Sequence, residues 1–147
     1  MAAITQSVEI GRKPEDVFAY LSELSRHGEW QEDIVSVTSV TDGLTRVGSR
    51  VTEVRRAGGR EVTGTYEITE WDAPRRFGFR GIDGPVRPVG RGTLEPVGEG
   101  TRLTLELDFE GHGLGGKLIA PLARSHARKQ VPKDQQNLKK RLESGSA

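Results

Sequence analysis

The sequence predicts an α+β fold in which a curved antiparallel sheet of seven strands wraps around a long C-terminal helix. Three observations support this prediction. Residues 34–110 mostly alternate apolar and polar side chains, which is typical of strands that cover a core on one face. Their connections are short and rich in glycine, proline and aspartate, so neighbouring strands pair antiparallel. Residues 114–143 show helical spacing instead, and only this segment is long enough to cover the sheet.

The N-terminal segment predicts one strand followed by two short helices. Residues 3–10 alternate and form the first strand, which Gly11 ends. Pro14 suits the first position of a helix, and the residues after it supply one apolar face. A second short helix is expected over residues 22–29, ending near Trp30.

The middle of the chain predicts six further strands. Glycine pairs and Asp-Gly steps mark the turns, and Gly58-Gly59 is the strongest hairpin signal. The predicted strands cover residues 34–41, 50–56, 60–71, 76–82, 86–97 and 101–110.

The long helix carries an apolar stripe, but two prolines interrupt its pattern. Pro121 and Pro132 each remove a backbone donor, so we expect a kink or break near one or both. The stripe consists of Ala120, Ala123, Ala127, Val131, Leu138 and Leu142. We expect one domain over residues 1–143 and a disordered tail over residues 144–147.

The composition excludes several classes of function. The chain has 147 residues, a size typical of one domain, and its 22 basic and 21 acidic residues leave a net charge of +1. It has no cysteine, which excludes disulfides, thiolate nucleophiles and cysteine-based zinc sites. Neither a signal peptide nor a membrane-spanning segment is apparent, so we expect a cytoplasmic protein.

A glycine cluster at residues 111–117, GHGLGGK, fits both G-x-G-x-x-G and the front of a P-loop. A dinucleotide site needs a strand buried on both faces and a parallel strand after the helix, and neither pattern is present. A P-loop needs Ser or Thr after the lysine, where Leu118 stands. We therefore interpret these glycines as a backbone turn, and expect no nucleotide and no other cofactor.

Five segments carry a resemblance to a known family. They are KPEDVFAYLSELSRHGEW (13–30), YEITEWDAPRRF (66–77) and GEGTRLTLELDFEG (98–111), followed by LIAPLAR and NLKKRLE in the helix. Their order resembles the SRPBCC superfamily of START and Bet v 1-like proteins, and within it the bacterial polyketide cyclase/dehydrase-like group. The resemblance covers nearly the whole chain and implies the helix-grip fold.

The resemblance also implies a function. Members typically hold a hydrophobic small molecule, lipid- or polyketide-like, in a cavity between sheet and helix. Our first hypothesis is therefore a non-catalytic binding protein for such a molecule. The alternatives are a cyclase or dehydratase that acts in the same cavity, and a toxin-like or ribosome-associated interaction protein, because fold does not choose among these.

The expected cavity depends on small residues that face each other. Gly64, Gly90 and Gly92 on the sheet would oppose the alanines of the helix and leave room, unless phenylalanine and leucine fill the space as an ordinary core. Tyr66 could donate its hydroxyl to a ligand or to a backbone partner. The predicted cavity-lining residues are Val62, Gly64, Tyr66, Phe77, Phe79, Gly92, Leu94, Leu105, Leu107, Phe109, Leu118, Leu122 and Ala123.

The sequence does not decide which side chains of the strand over residues 50–56 point toward the core. Either Val51, Glu53 and Arg55 point inward, or Thr52 and Val54 do. An inward Glu53 would be costly to bury unpaired, and so would indicate function.

The remaining polar features favour no specific chemistry. His27, His112 and His126 lack metal-ligand spacing, so we expect surface histidines and no metal site. The basic residues of the long helix could meet anionic lipid or RNA, but a solvated outer face is the simpler interpretation. They are Arg124, Arg128, Lys129, Lys133, Lys139, Lys140 and Arg141. We do not expect nucleic-acid binding, and the sequence does not indicate an oligomeric state.

Overall fold

A computed structural model describes residues 2–39 and 41–145, and contains seven strands and a long C-terminal helix. The strands are β1 (Ile4–Ile10), β2 (Ile34–Ser39), β3 (Arg50–Ala57), β4 (Arg60–Asp72), β5 (Arg76–Gly81), β6 (Val86–Val97) and β7 (Gly100–Gly111). The helices are α1 (Pro14–Ser22), a 3₁₀ helix (Leu24–Glu29) and α2 (Gly113–Ser144).

All neighbouring strands of the sheet pair antiparallel. The order is β1-β7-β6-β5-β4-β3-β2, so the first strand lies beside the last. The turns β3–β4 and β5–β6 and the start of α2 lie at one end of the sheet, which we call the open end. The start of α1 and the last turn of α2 lie at the other end, where Arg12 Nη1 donates to the Leu142 carbonyl (2.9 Å). This architecture confirms the predicted helix-grip fold.

Helix α2 runs without interruption through both prolines, so the expected break is absent. Ala120 and Val131, which directly precede the two prolines, are buried. Packing against the sheet therefore offsets the local cost of each lost hydrogen bond.

The C-terminal end of α2 differs from the expected tail. Ser144 is helical, and Gly145 ends the helix in the left-handed conformation (φ 76°), where its N–H meets the carbonyls of the last turn. Disorder is therefore the wrong prediction for these two residues, whereas residues 146–147 lie outside the described residues. Among the helices in the described ranges, none combines the length and apolarity that crossing a membrane requires.

The core is densest at the end opposite the open end. There Leu138 and Leu142 of α2, both almost fully buried, pack with Phe18 of α1 and with Leu94 and Leu103 of the sheet. A second cluster surrounds Ala127 and Val131, nearer the open end. Helix α2 contacts β1, β6 and β7 most extensively and has few contacts with β3 and β4.

A group of polar residues ties the segment before β2 to α2, and we call it the polar clasp: Glu32, Asp33, His126, Gln130 and Asp134. The imidazole Nε2 of His126 donates to Asp33 Oδ2 (2.7 Å). Asp134 Oδ1 accepts from Gln130 Nε2 (2.8 Å) and from the Glu32 amide (3.3 Å). Asp134 is buried, so these bonds are what satisfies its carboxylate.

We expect Asp134→Asn to stabilise the protein at neutral pH. Burial raises the pKa of Asp134 above its ordinary value, against the hydrogen bonds from Gln130 and Glu32, so its charged form is disfavoured in the folded state. The resulting cost is absent below the unfolded pKa of about 3.9 and is fully present above the folded pKa. Urea denaturation across pH should show a higher free energy of unfolding for the variant at pH 7.

The difference should vanish under acidic conditions, where both proteins carry a neutral side chain. Asp42→Asn is the matched control, because it makes the same change of side chain at an exposed residue outside the polar clasp. If the Asp134→Asn variant is less stable than the original protein at pH 7, the inference that burial disfavours the charged form of Asp134 is contradicted.

Candidate ligand-binding cleft

The pairing of β3 with β4 decides which residues of β3 face α2. Val51 opposes Tyr66 and Glu53 opposes Gly64, and directly opposed residues share a face of the sheet. Val51 is completely buried, so its face is the inner one. Of the two phases that the sequence left open, the structure therefore has Val51, Glu53 and Arg55 inward.

Two opposite charges lie on this inner face as a pair. Arg55 Nε donates to Glu53 Oε1 (2.5 Å), and Arg55 Nη2 donates to Gln31 Oε1 (2.5 Å). The Glu53 side chain is only 12% exposed, and pairing is what makes such burial tolerable. A guanidinium has five N–H donors. Those on Nη1 meet no acceptor within the described residues, so Arg55 can still bind a ligand oxygen.

The ring of Tyr66 is buried beside this ion pair, but its hydroxyl is unused. Within residues 2–39 and 41–145 the hydroxyl has no hydrogen-bond partner, and its oxygen is not fully buried. Burial, and then the negative charge of Glu53, raises the pKa of Tyr66 further above the physiological range. The hydroxyl therefore stays protonated and can donate. The backbone partner that the alternative interpretation required is not there.

Gly64 faces open space on the same side of β4. A Cβ atom placed on Gly64 would meet nothing within 4 Å. The next inward residue, Val62, is 51% exposed although it belongs to the inner face. The inner surface therefore opens from Tyr66 toward the open end of the sheet.

The expected room at Gly90 and Gly92 is absent, so the prediction that Gly92 lines a cavity is wrong. A Cβ atom would overlap the Phe79 ring at Gly90 and the Phe77 ring at Gly92. The two phenylalanine rings lie across the glycines of the neighbouring strand and fill the space that the missing side chains leave.

An apolar wall borders the open region. Phe79 packs against the clusters of both Tyr66 and Leu107, and its ring centroid lies 5.7 Å from that of Tyr66. Leu105 and Phe109 of β7 extend the wall and remain partly exposed. We call the region the cleft, formed by Glu53, Arg55, Gly64, Tyr66, Phe79, Leu105 and Phe109.

The remaining predicted lining residues lie outside the cleft, either in the core clusters or on α2. Leu94, Leu107 and Phe77 pack in the core clusters, and Ala123 of α2 is half-buried. Leu118 and Leu122 are 70% and 69% exposed, so their assignment to the cavity is wrong. At about 100° per residue, they lie on the side of α2 away from the buried residues. Apolar character alone had placed them inward.

The histidines do not form a metal site. His27 is half-buried, with Nε2 2.8 Å from the Leu21 carbonyl, and burial lowers its pKa, so it is not the expected surface residue. His112 and His126 are exposed. Across the described ranges, no three His, Asp or Glu side chains come together as metal ligands would.

Two open depressions lie elsewhere on the surface. One of about 560 Å³ lies where α1 begins, and one of about 350 Å³ lies on the outer face of the sheet beside Arg76 and Arg91. Neither lining includes an aromatic residue, whereas the cleft has three. The cleft is therefore the better candidate for an apolar ligand.

Comparison with known proteins agrees with this fold. Residues 1–143 match the family model described as polyketide cyclase / dehydrase and lipid transport. An uncharacterized protein of Mycobacterium tuberculosis is 29% identical over 126 residues, which cover 85% of this chain and 88% of the relative.

Two solved structures illustrate the likeness. A protein of Thermus thermophilus is 25% identical with a TM-score of 0.81, covering 98% of this chain and 99% of that one. The Zhui aromatase/cyclase of Streptomyces sp. R1128 superposes with a TM-score of 0.84 at 14% identity, covering 98% of this chain and 94% of that one. The second likeness shows the fold alone.

The glycines of the inner face should respond in opposite ways to an added methyl group. Gly92→Ala forces a Cβ atom into the Phe77 ring and should lower the free energy of unfolding by about 1–3 kcal/mol. Gly64→Ala meets open space and should leave it unchanged or raise it by up to about 1 kcal/mol, since alanine loses less chain entropy. Urea denaturation measures both, and equal effects would contradict the described cleft.

Proposed function

Because the chain belongs to the polyketide cyclase / dehydrase and lipid transport family, we propose that it binds a hydrophobic small molecule that carries a polar oxygen group. The apolar body of this molecule lies in the cleft. Its oxygen meets the Tyr66 hydroxyl and the free N–H groups of Arg55.

The observation that carries the proposal is the free hydroxyl of Tyr66 beside the open space at Gly64. The hydroxyl has no acceptor within the described residues, so a ligand oxygen can accept its hydrogen bond. A guanidinium lies on the same inner face, so the site offers two donors of different strength. A carbonyl, phenolate or carboxylate oxygen fits this pair of donors best.

Contact with the apolar wall of the cleft supplies most of the affinity for the ligand, and the donors of Tyr66 and Arg55 determine which ligands are selected. Each CH₂ group buried against Phe79, Leu105 and Phe109 contributes about 0.8 kcal/mol before the costs of binding. Such contact tolerates many shapes of ligand. The oxygen group is therefore the part of the molecule that the protein recognises.

Filling the open space should prevent binding. With 8-anilinonaphthalene-1-sulfonate as the probe, Gly64→Leu should abolish the fluorescence increase, because the new side chain occupies the cleft. Tyr66→Phe should weaken binding by about two- to tenfold, which corresponds to one hydrogen bond. Fluorescence titration gives the dissociation constant of each variant.

Gly115→Leu is the matched control, since a Cβ atom there also meets nothing within 4 Å but the residue is exposed on α2. It should bind the probe as the original protein does. If the Gly64→Leu variant still binds the probe, the binding site lies outside the cleft.

A second candidate function is enzymatic, and the convergence of Glu53, Arg55 and Tyr66 favours it. Glu53 Oε2 has no partner in the described part of the chain, and can accept a proton from the carbon between two carbonyls. The electron pair of the broken C–H bond moves to a carbonyl oxygen, which Arg55 and Tyr66 stabilise as an enolate. This step begins an aldol-type cyclisation.

The enzymatic candidate is tested by proton exchange in D₂O with benzoylacetone, an aryl 1,3-diketone. We expect the protein to accelerate exchange of the central protons, and Glu53→Gln to lower the rate by about 10²-fold or more while the probe still binds. Glu67→Gln is the control, because Glu67 lies on the opposite face of β4. If the original protein does not accelerate exchange, the non-catalytic function stands.

A further inference from the structure

The first half of α2 presents an apolar surface to solvent. Leu114, Leu118 and Leu122 are spaced by four residues and are 78%, 70% and 69% exposed. We call them the leucine face. We propose that the leucine face docks the protein on an anionic lipid bilayer.

The same side of α2 continues as a cationic surface. Lys129, Lys133 and Lys140 follow the leucines at helical spacing and are exposed. No acceptor or counter-ion meets them within residues 2–39 and 41–145. Glu143 lies near this side but is paired with Lys139 (2.7 Å). The outer side of α2 is therefore apolar at its start and positively charged beyond it.

This combination fits an anionic bilayer better than other partners. Leucine side chains insert at the boundary between headgroups and acyl chains, and lysines reach the phosphates. A second copy that docked through the same face would place like-charged lysines opposite one another. Single-stranded nucleic acid needs aromatic stacking partners, and the outer side of α2 has none.

The position of the leucine face agrees with this partner. Leu114 and Leu118 lie at the open end of the sheet, which is also the end of the β3–β4 turn and of the exposed Val62. A bilayer under the leucine face would therefore lie at the same end of the sheet as the opening of the cleft. The docking itself does not require the proposed ligand, so the two proposals can fail separately.

The test is co-sedimentation with vesicles of phosphatidylcholine, alone or mixed with phosphatidylglycerol, at low and high salt. We expect binding to the anionic vesicles that weakens at high salt. The double variant Leu118→Gln with Leu122→Gln should lower the partition coefficient at least tenfold. Leu44→Gln should not change it, because Leu44 is 89% exposed in the β2–β3 connection, away from the leucine face.

Variants of the lysines test the cationic part of the outer side of α2. Lys129→Gln and Lys133→Gln should each lower the partition coefficient about fivefold. Arg56→Gln is the control, since Arg56 is exposed on β3 and belongs to a different surface. Thermal unfolding of each variant establishes that the fold is kept.

Several outcomes would overturn the docking proposal. Equal binding to neutral and anionic vesicles, no binding, or binding unaffected by the leucine variants would each do so. A dimer seen by light scattering that Leu118→Gln dissociates would assign the face to a second copy instead. The Gly64→Leu variant should bind vesicles as the original protein does. Vesicle binding therefore tests the docking proposal even if the ligand proposal fails.

Discussion

The register of β3 against β4 is the constraint on which the cleft depends. Because side chains alternate along a strand, a slip of one residue would turn Glu53 and Arg55 to solvent and bring Thr52 and Val54 inward. Complete burial of Val51 opposite Tyr66 opposes such a slip. Packing at one end of this strand pair thus maintains a polar site further along it.

The inner face of the sheet has a packed part and an open part, and they differ in what lies beside their glycines. Where the neighbouring strand supplies a phenylalanine, as at Gly92, the ring occupies the space and the sheet packs into the core. Where the neighbouring strand supplies a charged residue, as Glu53 beside Gly64, the space stays open. Cross-strand pairing therefore decides which glycines form a cleft.

Periodicity was sufficient to predict the strands, their antiparallel order and the inward direction of Tyr66, because each depends on local alternation and turn chemistry. It could not choose the phase of β3, where Val51 and Val54 are apolar on opposite faces. It also could not show that Gly92 is covered, since that depends on register with another strand. Leu118 was misplaced because its apolar character was considered without its angular position relative to the predicted stripe of the helix.

The Glu53–Arg55 pair links binding to the candidate chemistry. Without a ligand, the two charges are hydrogen-bonded to each other, which makes their burial tolerable. A ligand oxygen that takes hydrogen bonds from Arg55 competes with Glu53 for the same guanidinium. In the enzymatic candidate, a ligand that carries a suitable oxygen would thus engage both charges of the pair, whereas an apolar molecule without one would occupy the cleft and leave the pair unchanged.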